Sequence, residues 1–176
     1  ISSDKDNLGL LLQAVVRMDP DIIVVSEIRD KEVLKACIDL SEIGHLVFAT
    51  IHSNSVAETI TRIVDLFPSN DKSQIRYKLS IVLNAILHQK LFKTKDSLVP
   101  IVELLILDAS TRNIIKQGKD ESFINDQIFF TMKENGSLAE IEHIRRLLND
   151  EIILNDDLFK LLSVRDIEKI TNMNYN

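Results

Sequence analysis

Two short apolar runs, each ending in an ionisable residue and separated by one helix length, constrain this chain most. The first is Asp19-Pro20-Asp21-Ile22-Ile23-Val24-Val25-Ser26-Glu27; the second is His45-Leu46-Val47-Phe48-Ala49-Thr50-Ile51-His52. A continuous β-branched run such as Ile22 to Val25 suits a strand buried on both faces. Between the runs, Lys31 to Ile43 places Val33, Leu34, Cys37, Ile38 and Leu40 on one side of a helix, with Gly44 at its end. A strand-helix-strand unit in one sheet crosses over right-handedly, so its strands run parallel. Adjacent strands lie about 4.8 Å apart, which puts Glu27 and His52 on one site roughly 5–10 Å across. That site is the carboxyl edge, where open α/β sheets bind ligands.

Two readings stay open on the residues alone. A carboxylate at that edge can hold a metal-bound or attacking water, and an imidazole can donate to an anion such as a γ-phosphate. Equally, Glu27 can be a solvated strand end paired with Arg29. His52 can be a loop residue ahead of a helix that Ser53 or Asn54 caps.

The rest of the chain supplies the frame. Leu8, Leu11, Leu12, Val15 and Val16 predict a helix over Asp6 to Met18, ended by Pro20. A second helix is expected from the Ser53 or Asn54 cap through Leu66. The stripe Ile75, Leu79, Val82, Leu83, Ile86, Leu87 and Leu91 predicts one long helix over Asp71 to Phe92. Leu98 to Leu107 reads as a third strand, with Pro100 near its start. Thr111 to Lys116, Glu121 to Lys133, Ser137 to Asn149 and Ser163 to Thr171 read as helices, and Ser137 to Glu140 as a capping box. The division is therefore an α/β part over 1–108 and a helical subdomain over 109–176. Strands of this kind expect neighbours, and without them they leave an exposed edge with apolar faces.

Composition excludes some classes. The net charge of −6 argues against a general nucleic-acid binder. The single cysteine, Cys37, forbids an internal disulfide and reads as a small apolar core residue. His88 and His143 lack ligand partners at metal spacing, so no zinc is expected. The chain opens on Ile1, and with the organisation above it reads as the C-terminal portion of a longer protein.

Asp19 to Asp30 resembles the Walker B box of the type II/type IV secretion ATPases, D-P-D-x-I-x-x-G-E-x-R-D. Gly44 to Ser53 resembles their His box, G-H-L-V-x-x-T-L-H-T. Thr61-Arg62-Ile63-Val64-Asp65-Leu66-Phe67-Pro68 is similar to the R-I-V-D-x-F-P of the pilus-retraction (twitching-motility) branch. Arg76, Leu79, Ser80, Leu83, Ile86, Gln89 and Leu91 match the family's R-x-x-L-S-x-x-L-x-x-I-x-x-Q-x-L. Arg112-Asn113-Ile114-Ile115-Lys116 is similar to the A-I-R-N-L-I-R-E box of retraction ATPases. The departures are Ser26 for glycine, Ser53 for threonine, and Ser110-Thr111 where the last box opens with Ala-Ile. The zinc-binding cysteines of the extension and type II secretion relatives are absent. So is any G-x-x-x-x-G-K-[ST], the Walker A loop whose nitrogens cradle phosphates.

The resemblance implies an α/β fold: a partial RecA-like P-loop NTPase core with a helical C-terminal tail. It implies ATP and Mg²⁺ as cofactors of the full-length protein. Glu27 would act at the Mg²⁺ or its water, and His52 would contact the nucleotide phosphates. Arg29, Arg62, Arg76, Arg112 and Asn113 become motif or subunit-interface positions. The whole would be a hexameric motor coupling ATP hydrolysis to pilus retraction. Its expected place is the cytoplasm, at the inner face of the membrane, against platform components of the pilus and without nucleic acid. This chain alone would lack ATPase activity. The runner-up is a pilus-assembly or type II secretion ATPase fragment. A different class, a non-catalytic module docking on pilus motor components, is the alternative.

Overall fold

A computed structural model describes residues 14–95, 97–118, 124, 127–128, 131 and 137–162. The helix expected at Ser163 to Thr171 lies outside these residues. Those at Asp6 to Met18 and Glu121 to Lys133 lie partly outside. Residues 14–18, 124, 127–128 and 131 are helical.

Strand β1 (Ile22–Val25), helix α1 (Lys31–Glu42) and strand β2 (Leu46–Ala49) form the expected crossover unit. The strands pair in parallel, Ile22 opposite Leu46 and Val25 opposite Ala49. α1 starts where the Asp30 carboxylate accepts the Val33 N–H at 2.9 Å, a side-chain N-cap. It is followed by Gly44 at φ +109, a conformation L side chains rarely adopt. The His45 ring, 2.7 Å from the Pro20 carbonyl, ties the start of β2 to the approach to β1. Cys37 lies buried on α1, and that burial pushes its thiol pKa up.

The next helix, α2 (Val56–Asp65), is capped by Ser55 rather than by Ser53 or Asn54. The chain stays extended through Ser55, whose Oγ accepts the Glu58 N–H at 3.0 Å. The Ser53 hydroxyl lies instead 2.6 Å from Thr59 Oγ1.

The long helix expected over Asp71 to Phe92 is two elements. Helix α3 (Lys72–Val82) stops at Leu83, which takes extended geometry, and strand β3 (Ala85–Lys93) follows. β3 pairs antiparallel with β4 (Leu98–Ile106), in register from Ala85 opposite Ile106 to Lys93 opposite Leu98. Ile86, Leu87 and Leu91 fit a helical stripe by coincidence of spacing. What decides between the two states is tertiary. The Arg112 guanidinium donates to the carbonyls of Ser80 and Ile81, both at 2.9 Å, satisfying acceptors that a helix end leaves open. Beyond that cap, nine residues gain a complete ladder to β4.

Arg112 lies on α4 (Ala109–Gln117), which starts with a reciprocal cap between Asp108 and Thr111 and ends at Gly118, φ +71. The positive φ favours glycine there, and a Cβ on Gly118 would also stand 3.0 Å from Arg76 Cδ, so the Arg76 side chain would have to shift. Helices α5 (Glu140–Asn149) and α6 (Asn155–Leu161) complete the described residues. The capping box expected at Ser137 does not form. α5 begins after Ala139 with no side-chain cap. Ser137 Oγ accepts the Ile106 N–H, and Leu138 bridges Leu104 by two 2.8 Å bonds, so this segment lengthens the sheet instead.

Two apolar clusters hold these elements. The larger packs Leu34, Ile60, Val64, Leu79, Leu105 and Ile115, from both sides of Asp108. The smaller sets Val99 and Ile101 of β4 against Ile144, Leu147, Ile153 and Leu158. Each fully buried aliphatic side chain contributes about 1.5–3 kcal/mol. One face of the parallel pair stays open. Val24 and its strand partner Phe48 are 76% and 55% exposed, beside Ile22 and Leu46.

His143 on α5 accepts the Val102 N–H at 3.0 Å through Nδ1, which requires that nitrogen unprotonated. Burial first, then the charge of Arg146, lowers its pKa below the ordinary 6.5. Below about pH 6.5 the unfolded chain therefore binds more protons, and the stability due to this contact is lost as pH falls toward the lowered folded value. In urea unfolding from about pH 8 to about pH 5, His143→Leu should be the less stable protein at high pH and converge on wild type at low pH. A constant gap would show that His143 does not titrate as described. Arg112→Ala should cost about 1–3 kcal/mol in the same assay, and Arg112→Lys should restore it only in part, because an ammonium lacks the second nitrogen that here stands 3.5 Å from Asn84 Oδ1. Both measurements belong on the complete encoded polypeptide.

Candidate functional site

The parallel ladder continues past the formal end of β1. Ile28 N–H donates to the Thr50 carbonyl at 2.8 Å, and the Thr50 hydroxyl donates to the Ser26 carbonyl. These bonds zip Ser26–Ile28 against Thr50, with Glu27 between them. Ser26 needs no glycine. Among the described non-glycine residues only Asp19 and Glu151 have positive φ, so position 26 suits any L-residue.

His52 follows Thr50 by two residues, and its Nε2 lies 3.4 Å from Glu27 Oε1. The other carboxylate oxygen belongs to Arg29, whose Nε donates at 2.8 Å and whose Nη2 stands at 2.6 Å. Glu27 thus has an arginine on one oxygen and an imidazole on the other. The Arg29 hydrogen bond is the main cause that holds its pKa below the ordinary carboxylate value, with smaller help from the charges of Arg29 and His52. The His52 side chain is 86% exposed, so Nε2 is reachable from solvent.

The loop that carries His52 is clipped to the first turn of α2. Asn54 N–H donates to Glu58 Oε2 at 2.8 Å, and this bond lowers the Glu58 pKa. With Ser55 Oγ on the Glu58 N–H, the arrangement is a capping box shifted by one residue.

The remaining arginines of the expected set lie elsewhere. Arg62 on α2 is exposed. Arg76 packs against Gly118, and Arg112 closes the end of α3. Asn113 is exposed on α4. Of the seven residues singled out in sequence, the structure joins three: Glu27, Arg29 and His52. It adds Thr50 and Glu58. The S-x-x-E spacing of Ser55 and Glu58 was the available signal for the latter. Among the described residues, no group of three or more His, Cys, Asp and Glu could hold a metal ion.

Comparison with known proteins gives this arrangement a family. The crystal structure of the pilus retraction motor PilT with bound ADP superposes with a TM-score of 0.78 at 31% identity, covering 92% of this chain and 46% of that one. The fold is therefore α/β, of the RecA-like P-loop class. The family described as "Type II/IV secretion system protein" matches residues 5–99, more than half of the sequence. The chain belongs to that family. The "Twitching motility protein" of Neisseria gonorrhoeae is 42% identical over 110 residues, 61% of this chain and 29% of that protein. The "Type IV pilus retractation ATPase PilT" of Pseudomonas aeruginosa is 37% identical over 138 residues, 77% and 39% respectively. The chain spans less than half the length of each of these three relatives.

The Glu27–Arg29 contact makes a direct prediction. Its stabilising effect is present above the ordinary carboxylate pKa and is lost as pH falls through the lowered folded value. Arg29→Ala should move the Glu27 carboxyl titration, followed by ¹³C NMR, upward toward that ordinary value. An unmoved titration would exclude Arg29 as the main cause.

Proposed function

We propose that this chain carries the water- and metal-facing side of an ATP site in a secretion-type motor ATPase, and that the motor drives pilus retraction. The observation that carries the reading is the 3.4 Å approach of His52 Nε2 to Glu27 Oε1, past the carboxyl ends of two parallel strands. The crossover that builds this edge, β1 to β2, lies within the family match.

Glu27 supplies the acceptor oxygens. Its carboxylate is charged at neutral pH and can accept a hydrogen bond from, and so orient, an attacking water. His52 Nε2, when it carries a proton, donates to a phosphate oxygen arriving from solvent. Arg29 occupies the second carboxylate oxygen. A single carboxylate with free lone pairs fits Mg²⁺, which keeps most of its waters and takes one or two carboxylates plus phosphate oxygens. When bound, that ion supplies positive charge against the phosphates. The phosphate cradle itself comes from outside these residues, since the chain holds no Walker A sequence.

The retraction assignment is supported by two relatives named for twitching motility and retraction, and by the box at Thr61 to Pro68. The working assembly is a homo-oligomer, hexameric in full length, acting in the cytoplasm on platform components at the inner membrane face. Among the described residues no helix is long and apolar enough to cross a membrane.

ATP turnover of the complete encoded polypeptide tests the reading. Glu27→Gln should lower kcat by about 100-fold or more with nucleotide binding retained, and His52→Ala should lower kcat as well. Wild-type turnover that survives Glu27→Gln unchanged would remove the catalytic role. Deleting the gene should leave pili extended and abolish twitching. Cells that instead lose their pili would point to the assembly branch.

A further inference from the structure

His52 lies in residues 51–55, beyond the last ladder bond at Thr50. Something other than the sheet must therefore set where its ring stands. The far end of this loop is the first turn of α2. Ser53 meets Thr59 there, and Asn54 meets Glu58. These two bonds tie the far end of the loop to the start of α2, while Ile51 at its near end packs on the larger core. The N–H of Val56, a fully buried residue, is one of the donors that a helix start leaves without an intrahelical partner. It goes to Glu103 Oε2 at 2.8 Å, across 47 residues of sequence.

Glu103 is an odd residue for its place. It sits on β4 inside the apolar run Leu98 to Ile106, opposite His88, with its carboxyl mostly buried. Burial is the first cause that raises its pKa, and the charge of Glu140 adds to it. The Val56 N–H, His88 and Lys90 oppose the rise. A buried carboxyl is costly unless hydrogen-bonded. An apolar side chain would fill this space without that cost. What the carboxyl does that an apolar group does not is hold the Val56 N–H at the positive end of α2. Behind it, Lys90 of the same hairpin pairs with Glu140 in the first turn of α5.

We propose that Glu103 is the positioning residue for His52: it pins the start of α2 to the β3–β4 hairpin, and thereby fixes the loop that places the His52 ring against Glu27. Its consequence for turnover rests on the ATP-site reading above. The placement itself does not.

The test is amide hydrogen exchange, resolved by residue, on the complete encoded polypeptide as wild type, Glu103→Gln and Glu103→Met. Gln keeps an acceptor oxygen and Met keeps the volume. The expected result is a protected Val56 N–H in wild type and in Glu103→Gln. In Glu103→Met, exchange at Val56 should quicken by at least about tenfold, with residues 53–58 following and α1 unchanged. The His52 ring resonances should shift with it. Equal exchange at Val56 in wild type and Met, or an equal loss in α1, overturns the proposal. If the Met variant does not fold, the wild type still decides: a Val56 N–H exchanging at the free-peptide rate overturns it. ATP turnover of the same samples separates the two readings. With turnover present, Met should lower kcat at little-changed KM and Gln should restore it. Wild type without turnover counts against the ATP site and leaves the exchange result standing.

Discussion

Everything at the candidate site depends on one short stretch of parallel pairing that runs on after its strand has formally ended. The Ile28 N–H on Thr50 and the Thr50 hydroxyl on Ser26 hold two chain segments together where ordinary loops would diverge. Parallel strands cannot be joined by a tight turn, so the chain must leave through a crossover. Asp30 starts that crossover helix three residues after Glu27. The carboxylate is thus fixed on both sides, by ladder and by cap. The imidazole emerges two residues past the last ladder bond.

The contacts among Glu27, Arg29 and His52 contribute little to holding this geometry. Arg29 and His52 reach the half-buried Glu27 from exposed positions, and ion pairs of that kind are weakened by water and salt. Backbone hydrogen bonds and helix caps set the positions, and the charged groups then meet because they have been placed. Such a site keeps its acceptor and donor in register without a deep pocket. It also leaves the His52 ring open to an incoming anion.

The parts legible in sequence were those whose signal is local. The β-branched run at Ile22 to Val25, the one-sided helix at Lys31 and the glycine behind it specified β1, α1 and their order without reference to anything distant. The parts that were not legible depend on partners far along the chain. Residues 85–93 carry apolar side chains at spacings that serve a helix and a strand alike. Only β4 and the guanidinium of Arg112 choose between them. Ser137 fits a capping box by spacing, yet its hydroxyl is taken by the Ile106 N–H. Glu103 lies within a strand whose sequence signal is its apolar content. A lone acidic residue in such a run is itself a signal, since carboxylates are rarely buried without a partner.

The place of Arg112 changes what a genetic result at that position would mean. An arginine in a terminal box invites interpretation as a contact with another subunit. Here its guanidinium closes α3 at Ser80 and Ile81, and the strand that follows begins where that cap ends. An inactive allele at Arg112 is therefore silent about any interface until the fold of the variant protein is known. An allele at the exposed neighbour Asn113 carries no such ambiguity from a helix cap.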